Sequence, residues 1–369
     1  MNTLPPVLVV CLLTFVHFVG AQMRGPVMPL YAAAHGATAT AIGFIVAAHM
    51  AAAAAGSIPL GRAADRWGRR PLILGGIALG IVTSLLLLLL LPLVDQPLAL
   101  TLVYGLAGFG VAAYTPSALA LGVAVSVALP RRPSGEGLGA EGEGLGDEGE
   151  GLGERLPGFS HEMVWAGWIA GLSGTVLQGV TFTFLPLLAL ERSLTPASIG
   201  VIFLALGLAN TLARAPAGGV IDRTARASSC GVVGLVLASA ITALVPHTGS
   251  FAGLVVLAVV FGGLSGVAFV GVTAALAAAA TPTTRGLVMG GYSTALYLGL
   301  AVGAFALGPV ITHAGYAMGF AVGGAAGAGG VLVAAVLWVT GYPRDGRAGE
   351  RSSIGRNARA LADSARPSP

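Results

Sequence analysis

The chain has 369 residues, of which 55% are hydrophobic and only 9% charged, with a formal net charge of +4. Soluble domains carry about 25% charged residues, so this composition excludes an ordinary soluble enzyme and points into a lipid bilayer. The small positive excess suits anionic headgroups rather than nucleic acid, and every one of the nineteen basic residues is arginine.

A spanning helix needs about 20 mainly apolar residues, and ten runs qualify as candidates, with no strand signal between them. The predicted fold class is therefore all-α and polytopic. The first run, 4–23, lacks the basic flank and clean cleavage site of a secretory signal, so it reads as a retained helix. It holds His17, and Arg24 follows near its outer end. A charge inside the bilayer costs about 2.5–3.5 kcal/mol on insertion scales. Arg24 therefore either meets a partner or an aqueous cavity, or snorkels to the headgroups as the helix ends. His17, seven residues earlier, shares its face. The second run, 40–60, holds His49. Histidine titrates near neutral pH and can relay protons, although a buried, hydrogen-bonded neutral imidazole is the plainer reading of both.

Five charges then crowd into nine positions: Arg62, Asp65, Arg66, Arg69 and Arg70. They form a short charged loop before the third run, 71–94. The pattern Gly61-x-x-x-Asp65-Arg66-x-Gly68-Arg69-Arg70 resembles the loop between transmembrane helices 2 and 3 of the major facilitator superfamily. That resemblance implies a transporter of two six-helix bundles. It also implies a gating role for Gly61, Asp65, Arg66, Gly68 and Arg69, with Arg70 completing the motif. Physically, a carboxylate at the cytoplasmic end of a helix pair accepts from arginine and caps a neighbouring helix N-terminus. Contacts made in one conformation and broken in the other bias a two-state motion. The blander reading makes these arginines topology anchors only. An arginine followed by Pro29-Leu30-Tyr31 after the first helix is similar to drug or metabolite efflux permeases of the family.

The fourth run, 98–129, is followed by three consecutive seven-residue units over 135–155, GEGLGAE, GEGLGDE and GEGLGER. They carry seven of the chain's fifteen acidic residues. Glycine at three of seven positions opposes helix formation, and one leucine per unit leaves no coiled-coil seam. This is a flexible acidic linker. Set against the family's six, the fifth and sixth helices are missing from the first half. The fifth carries a glycine-rich motif ending in Gly-Pro, a family mark of drug–proton exchange. A related run, Gly299-x-x-x-Gly303-x-x-x-x-Gly308-Pro309, occurs instead in the second half.

Six further runs follow, at 163–190, 199–221, 229–245, 251–280, 287–312 and 316–340. A shift of 157 positions lays them on the first half without a gap across about forty residues. Pro29-Leu30 meets Pro186-Leu187, and Ile42-Gly43 meets Ile199-Gly200. Pro59, Gly61, Asp65, Arg66 and Arg69 meet Pro216, Gly218, Asp222, Arg223 and Arg226. Parallel halves related by an axis along the membrane normal are a transporter architecture. Gly218, Asp222 and Arg223 thus echo the gating motif, although Thr224-Ala225 replaces Trp67-Gly68. Candidates for substrate or coupling contact are His17, Arg24, His49, Gln178, Asn210 and Arg214. Arg214 has Asp222 two turns on as a possible partner, and Thr181, Thr183, Tyr292 and Tyr297 add polar positions. No carboxylate lies deep in any run, so a buried acid for proton coupling is lacking.

The expected organisation is an N-terminal bundle over 1–130, a linker over 131–160, a C-terminal bundle over 161–341 and a disordered tail over 342–369. With the N-terminus inside, ten loop arginines and the six of the tail fall on the cytoplasmic side, as the positive-inside rule requires. Both termini are then cytoplasmic, in the plasma membrane. A nucleotide-binding loop, a zinc-protease motif and paired cysteines are all absent, so no enzyme, metal or cofactor is expected. The expected function is secondary transport of a small organic solute, by efflux, with a proton as the candidate coupling ion. A metabolite uptake permease is the same-class alternative. A degenerate, non-transporting paralogue or membrane sensor is the alternative of a different class.

Overall fold

A computed structural model of the chain describes residues 25–90, 97–128, 161–224, 226–280 and 285–341. The first candidate helix with His17 and Arg24, the acidic linker and the tail lie outside these residues. Every described element is helical. Residues 25–34 form α1. It is followed by α2 (Ala39–Trp67), α3 (Arg69–Leu90) and α4 (Pro97–Ala128). After the linker come α5 (His161–Glu191), α6 (Pro196–Thr224), α7 (Ala227–Leu244) and α8 (Phe251–Ala279). The last run, Arg285–Gly341, is broken at Gly315, where φ is 79° and ψ 171°. It therefore divides into α9 (285–314) and α10 (316–341). Among the described residues, seven stretches are long and apolar enough to cross a membrane, so the chain is a multi-pass membrane protein.

The internal repeat holds at the level of single hydrogen bonds. At the end of α1, Gly36 N–H donates to Ala33 C=O at 3.0 Å and Ala37 N–H to Ala32 C=O at 3.0 Å. At the end of α5, Ser193 donates to Leu190 at 2.9 Å and Leu194 to Ala189 at 3.0 Å. Each of these four residues lies 157 positions beyond its counterpart. Both turns are helix C-caps that require a left-handed residue, and φ is 77° at Gly36 and 60° at Ser193. The next helix then starts identically. Thr38 Oγ1 accepts from Ala41 N–H at 3.3 Å, and Thr195 Oγ1 from Ser198 N–H at 3.2 Å.

A non-glycine residue in this conformation costs roughly 1–2 kcal/mol, and glycine's greater unfolded-chain freedom offsets part of that. Gly36→Ala should therefore destabilise by about 1 kcal/mol, whereas Ser193→Gly should gain a fraction of that amount. Apparent melting temperatures in one detergent would fall for the first and rise for the second. Shifts of the same sign would show that the two turns are not equivalent.

Small residues bring the backbones together, as in other bundles packed in lipid. The span of α5 is 83% buried, the most enclosed of the seven. It lies against α9, where a side chain at Gly179 would come within 2.5 Å of the Leu300 carbonyl. Gly299 and Gly303 of α9 meet the carbonyls of Leu172 and Val176 from the other side. Gly308 of the same helix turns instead to α2, where an added carbon would lie 2.9 Å from Ala39 C=O. The glycine run that resembled an exchange motif thus seats α9 between α5 and α2.

The contact between α2 and α9 joins the two halves of the chain. Val46 and Ala47 pack with Ala301 and Ala304, and Met50 lies against them. Gly43 sits directly on the Ala304 carbonyl. Thr40 closes one end through both its amide (3.2 Å) and its hydroxyl (2.9 Å) to Thr312 Oγ1. The repeat mate of α2 is α6, which packs chiefly on α8 and makes lesser contact with α5 and α7. While 56% of the α2 span is buried, only 17% of the α6 span is. At Gly200, the mate of Gly43, an added carbon would meet nothing within 4 Å.

Candidate functional site

The charged motif is not a loop. Helix α2 runs through Arg62 and Arg66 to Trp67, and α3 begins at Arg69. Arginine is a good helix former, and a cation in the last turn of α2 favours the negative end of its dipole, so the helix continues through the charges. The whole change of direction falls on Gly68, with φ 90° and ψ 154°. Arg62, Arg66 and Arg70 are exposed around this break. The side chains of Asp65, Arg69 and Asp222 lie outside the described set. Gly61 and its mate Gly218 both face open space, so neither makes a close helix contact in this conformation. In the second half α6 likewise runs to Thr224, with Arg223 exposed in its last turn.

Within the spans, the expected polar residues part company. His49 is buried, with Nδ1 at 2.7 Å from Tyr104 C=O and its ring stacked on Tyr104 at 4.2 Å. It fastens α2 to α4. Thr181 Oγ1 donates to the Leu177 carbonyl of its own helix at 2.9 Å, also a structural bond. Gln178 is half-buried on α5.

The remaining polar residues lie on α6, α8 and α9. Arg214, exposed on α6, donates through Nε (3.2 Å) and Nη2 (2.9 Å) to Asn210 Oδ1. Asn210 is itself held by donation from Nδ2 to Gly262 C=O of α8 at 3.2 Å. The partner of Arg214 in the structure is therefore an amide one turn earlier, while Asp222, two turns later, lies outside the described side chains. Tyr292 of α9 is 6% exposed, and its hydroxyl has no hydrogen-bond partner. Its ring lies over Gly171 of α5. Thr273 of α8 lies beside that hydroxyl. The Thr273 hydroxyl donates to the Phe269 carbonyl at 2.7 Å, which leaves its oxygen able to accept from Tyr292. Thr273 was not singled out from the sequence, because a threonine bonded back along its helix resembles any other.

These residues offer a guanidinium held by an amide on α6 and, on α9, a buried tyrosine hydroxyl beside Thr273. Among the described residues no group of three or more His, Cys, Asp or Glu stands ready to hold a metal ion. At the end of the helices marked by the two repeat turns, a cavity of about 340 Å³ is lined by residues including Ile42, Leu187, Glu191 and Tyr316.

A family model described as Major Facilitator Superfamily matches residues 10–146 and 166–366. No curated protein matches the sequence. Among solved structures, a crystal structure of the nucleoside transporter NupG superposes with a TM-score of 0.59 at 14% identity, covering 92% of this chain and 99% of that one. A mutant form of NupG gives 0.59 at 16%, covering 90% and 100%. At these identities the likeness is one of fold.

Proposed function

The chain belongs to the Major Facilitator Superfamily, and from that premise we propose that it exports a small organic solute across the plasma membrane by alternating access. The observation carrying this reading is the repeat. Two halves that reproduce one another's turns and caps bond for bond are the kind of parallel copies between which a transporter alternates. Bundles at 1–130 and 161–341 are the moving bodies of this reading, joined by the acidic linker over 131–160, with the tail at 342–369. Both termini are cytoplasmic, on the strength of the arginine distribution. Gly61, Asp65, Arg66, Gly68, Arg69 and Arg70, echoed by Gly218, Asp222 and Arg223, form the cytoplasmic gate. Gly68 supports this role, since a one-residue break between two helices lets their angle change through few dihedrals. Efflux is favoured by the Arg24 and Pro29-Leu30-Tyr31 pattern, and a proton is the coupling ion of this reading.

A second reading, a non-transporting relic, is favoured by the bare face of α6. The two are separated by cellular accumulation of fluorescent amphiphiles of positive, neutral and negative charge, in energised cells carrying the protein or an empty vector. Export predicts that at least one dye accumulates several-fold less with the protein, and that collapsing the proton gradient abolishes the difference. Equal accumulation of all three dyes, with the protein confirmed in the membrane, rejects dye export and leaves a narrow metabolite permease or the relic.

A further inference from the structure

The cavity of about 340 Å³ at the end of the helices marked by the repeat turns lies between the two halves of the chain. Ala33 and Ile42 line it from the first half, and Leu187, Leu190, Glu191 and Tyr316 from the second. Ala33 and Leu190 are repeat mates at the offset of 157, so the halves present the same position to one shared space. Glu191 breaks that likeness, because its mate is Ala34. It also occupies the last position of α5, where an acid works against the dipole of its own helix. Its neighbour Arg192 does not answer it, since Nη1 donates to the Thr248 carbonyl and Nη2 to the Pro246 carbonyl. Nor does the start of α2. There Thr40 N–H goes to Thr312 Oγ1, Ala41 N–H to Thr38 Oγ1 and Ile42 N–H to Thr38 C=O. Among the described residues, no hydrogen bond or ion pair meets the Glu191 carboxylate. Tyr316, one residue past the Gly315 break, is the other polar side chain of the lining, and an aromatic face attracts cations.

Pockets that hold small ligands are mostly apolar, with a few polar groups that fix orientation. This one sets a single carboxylate and a single tyrosine among aliphatic side chains. We propose that the cavity is a binding site for a small organic ammonium ion with an apolar body. Glu191 takes the ammonium, the aliphatic walls take the hydrocarbon, and Tyr316 adds its ring face or hydroxyl to the same charge. A neutral molecule of like shape leaves the carboxylate bare, and an anion is repelled by it. Because both halves form the walls, a bound cation also ties them together at this end. The site goes beyond the transport reading and does not depend on it. Free amines and ethanolamine lipid headgroups share this chemistry.

The test is thermal stabilisation of the purified full chain in neutral detergent, titrated with benzylammonium, benzyl alcohol or benzoate. Benzylammonium should raise the melting temperature in a saturable way, and its neutral and anionic matches should not. Glu191→Gln should weaken its binding ten-fold or more, and Tyr316→Leu three-fold or more. Ala33→Phe should abolish it by filling the cavity while the carboxylate is retained. Equal stabilisation by benzyl alcohol, or wild-type affinity in Glu191→Gln, overturns the proposal. So does undiminished binding in Ala33→Phe, which would leave only a surface charge. Cation binding that emerges only in Arg24→Gln would assign the carboxylate to that arginine and overturn it as well. Should Ala33→Phe not fold, Glu191→Gln, at an exposed position, and the benzyl alcohol comparison still decide. If benzylammonium is silent, the chain is compared in nanodiscs of phosphatidylethanolamine and of phosphatidylglycerol. Stabilisation by the first that Glu191→Gln abolishes gives the ammonium site to a lipid headgroup, and no such difference overturns it.

Discussion

Asp65→Asn should lower the initial rate of solute counterflow at least ten-fold while the amount of folded protein in the membrane stays the same. The substitution preserves shape and removes only the charge. Asp65 stands in the last turn of α2, three residues before the one-residue break at Gly68, with Arg66 and Arg70 exposed around the same break. A hydrogen bond to a charged group contributes about 1.5–3 kcal/mol. If the carboxylate holds the gate in one of two conformations, losing that bond shifts their equilibrium by roughly ten-fold or more, since about 1.4 kcal/mol corresponds to a factor of ten. The rate per milligram of reconstituted protein checks this. Equal rates for wild type and variant would mean that the charges only orient the chain in the membrane.

Gly43→Leu and Gly200→Leu should have opposite fates, although the two glycines occupy the same position of the repeat. At Gly43 the new side chain would be driven into the Ala304 carbonyl, a backbone atom that cannot swing away. Overpacking of this kind costs about 1–3 kcal/mol or more, and here it also forces apart the seam between the halves. Gly200→Leu projects into open space and should change stability by no more than about 0.5 kcal/mol, as for other unconstrained surface positions. Fluorescence-detected size-exclusion chromatography should show Gly43→Leu aggregated or absent and Gly200→Leu monodisperse. Comparable damage from both would mean that a partner covers the α6 face.

Much of the fold could be read from composition and the repeat. The apolar runs, the charged motif and the offset of 157 led to an all-α membrane protein with two related halves, and the break between α9 and α10 was expected within a few residues of Gly315. Local misreadings arose where three-dimensional neighbours decide. The Arg62 to Arg70 stretch looks like a loop because charges interrupt the hydropathy, yet arginines propagate a helix and only Gly68 breaks it. The Gly299, Gly303 and Gly308 run suggested a motif, but its meaning lies in which backbones it faces, α5 and then α2. Arg214 invited pairing with Asp222, whose side chain lies outside the described set; the bonds described for it go to an amide one turn back. For His49 the sequence offered both a proton relay and a buried, hydrogen-bonded imidazole, and only the structure places its ring on Tyr104 with Nδ1 against the Tyr104 carbonyl.

The seam between α2 and α9 has no twin among the described residues, because the corresponding face of α6 is bare. Two bodies touching along two opposite lines can only rock about the axis between them. Joined along one line, they swing as book covers do about a spine, and the far edge parts sideways. For the exporter proposed above, a solute that partitions into the bilayer would then enter from the hydrocarbon itself, through the gap beside α6, travelling in the plane of the membrane as well as across it.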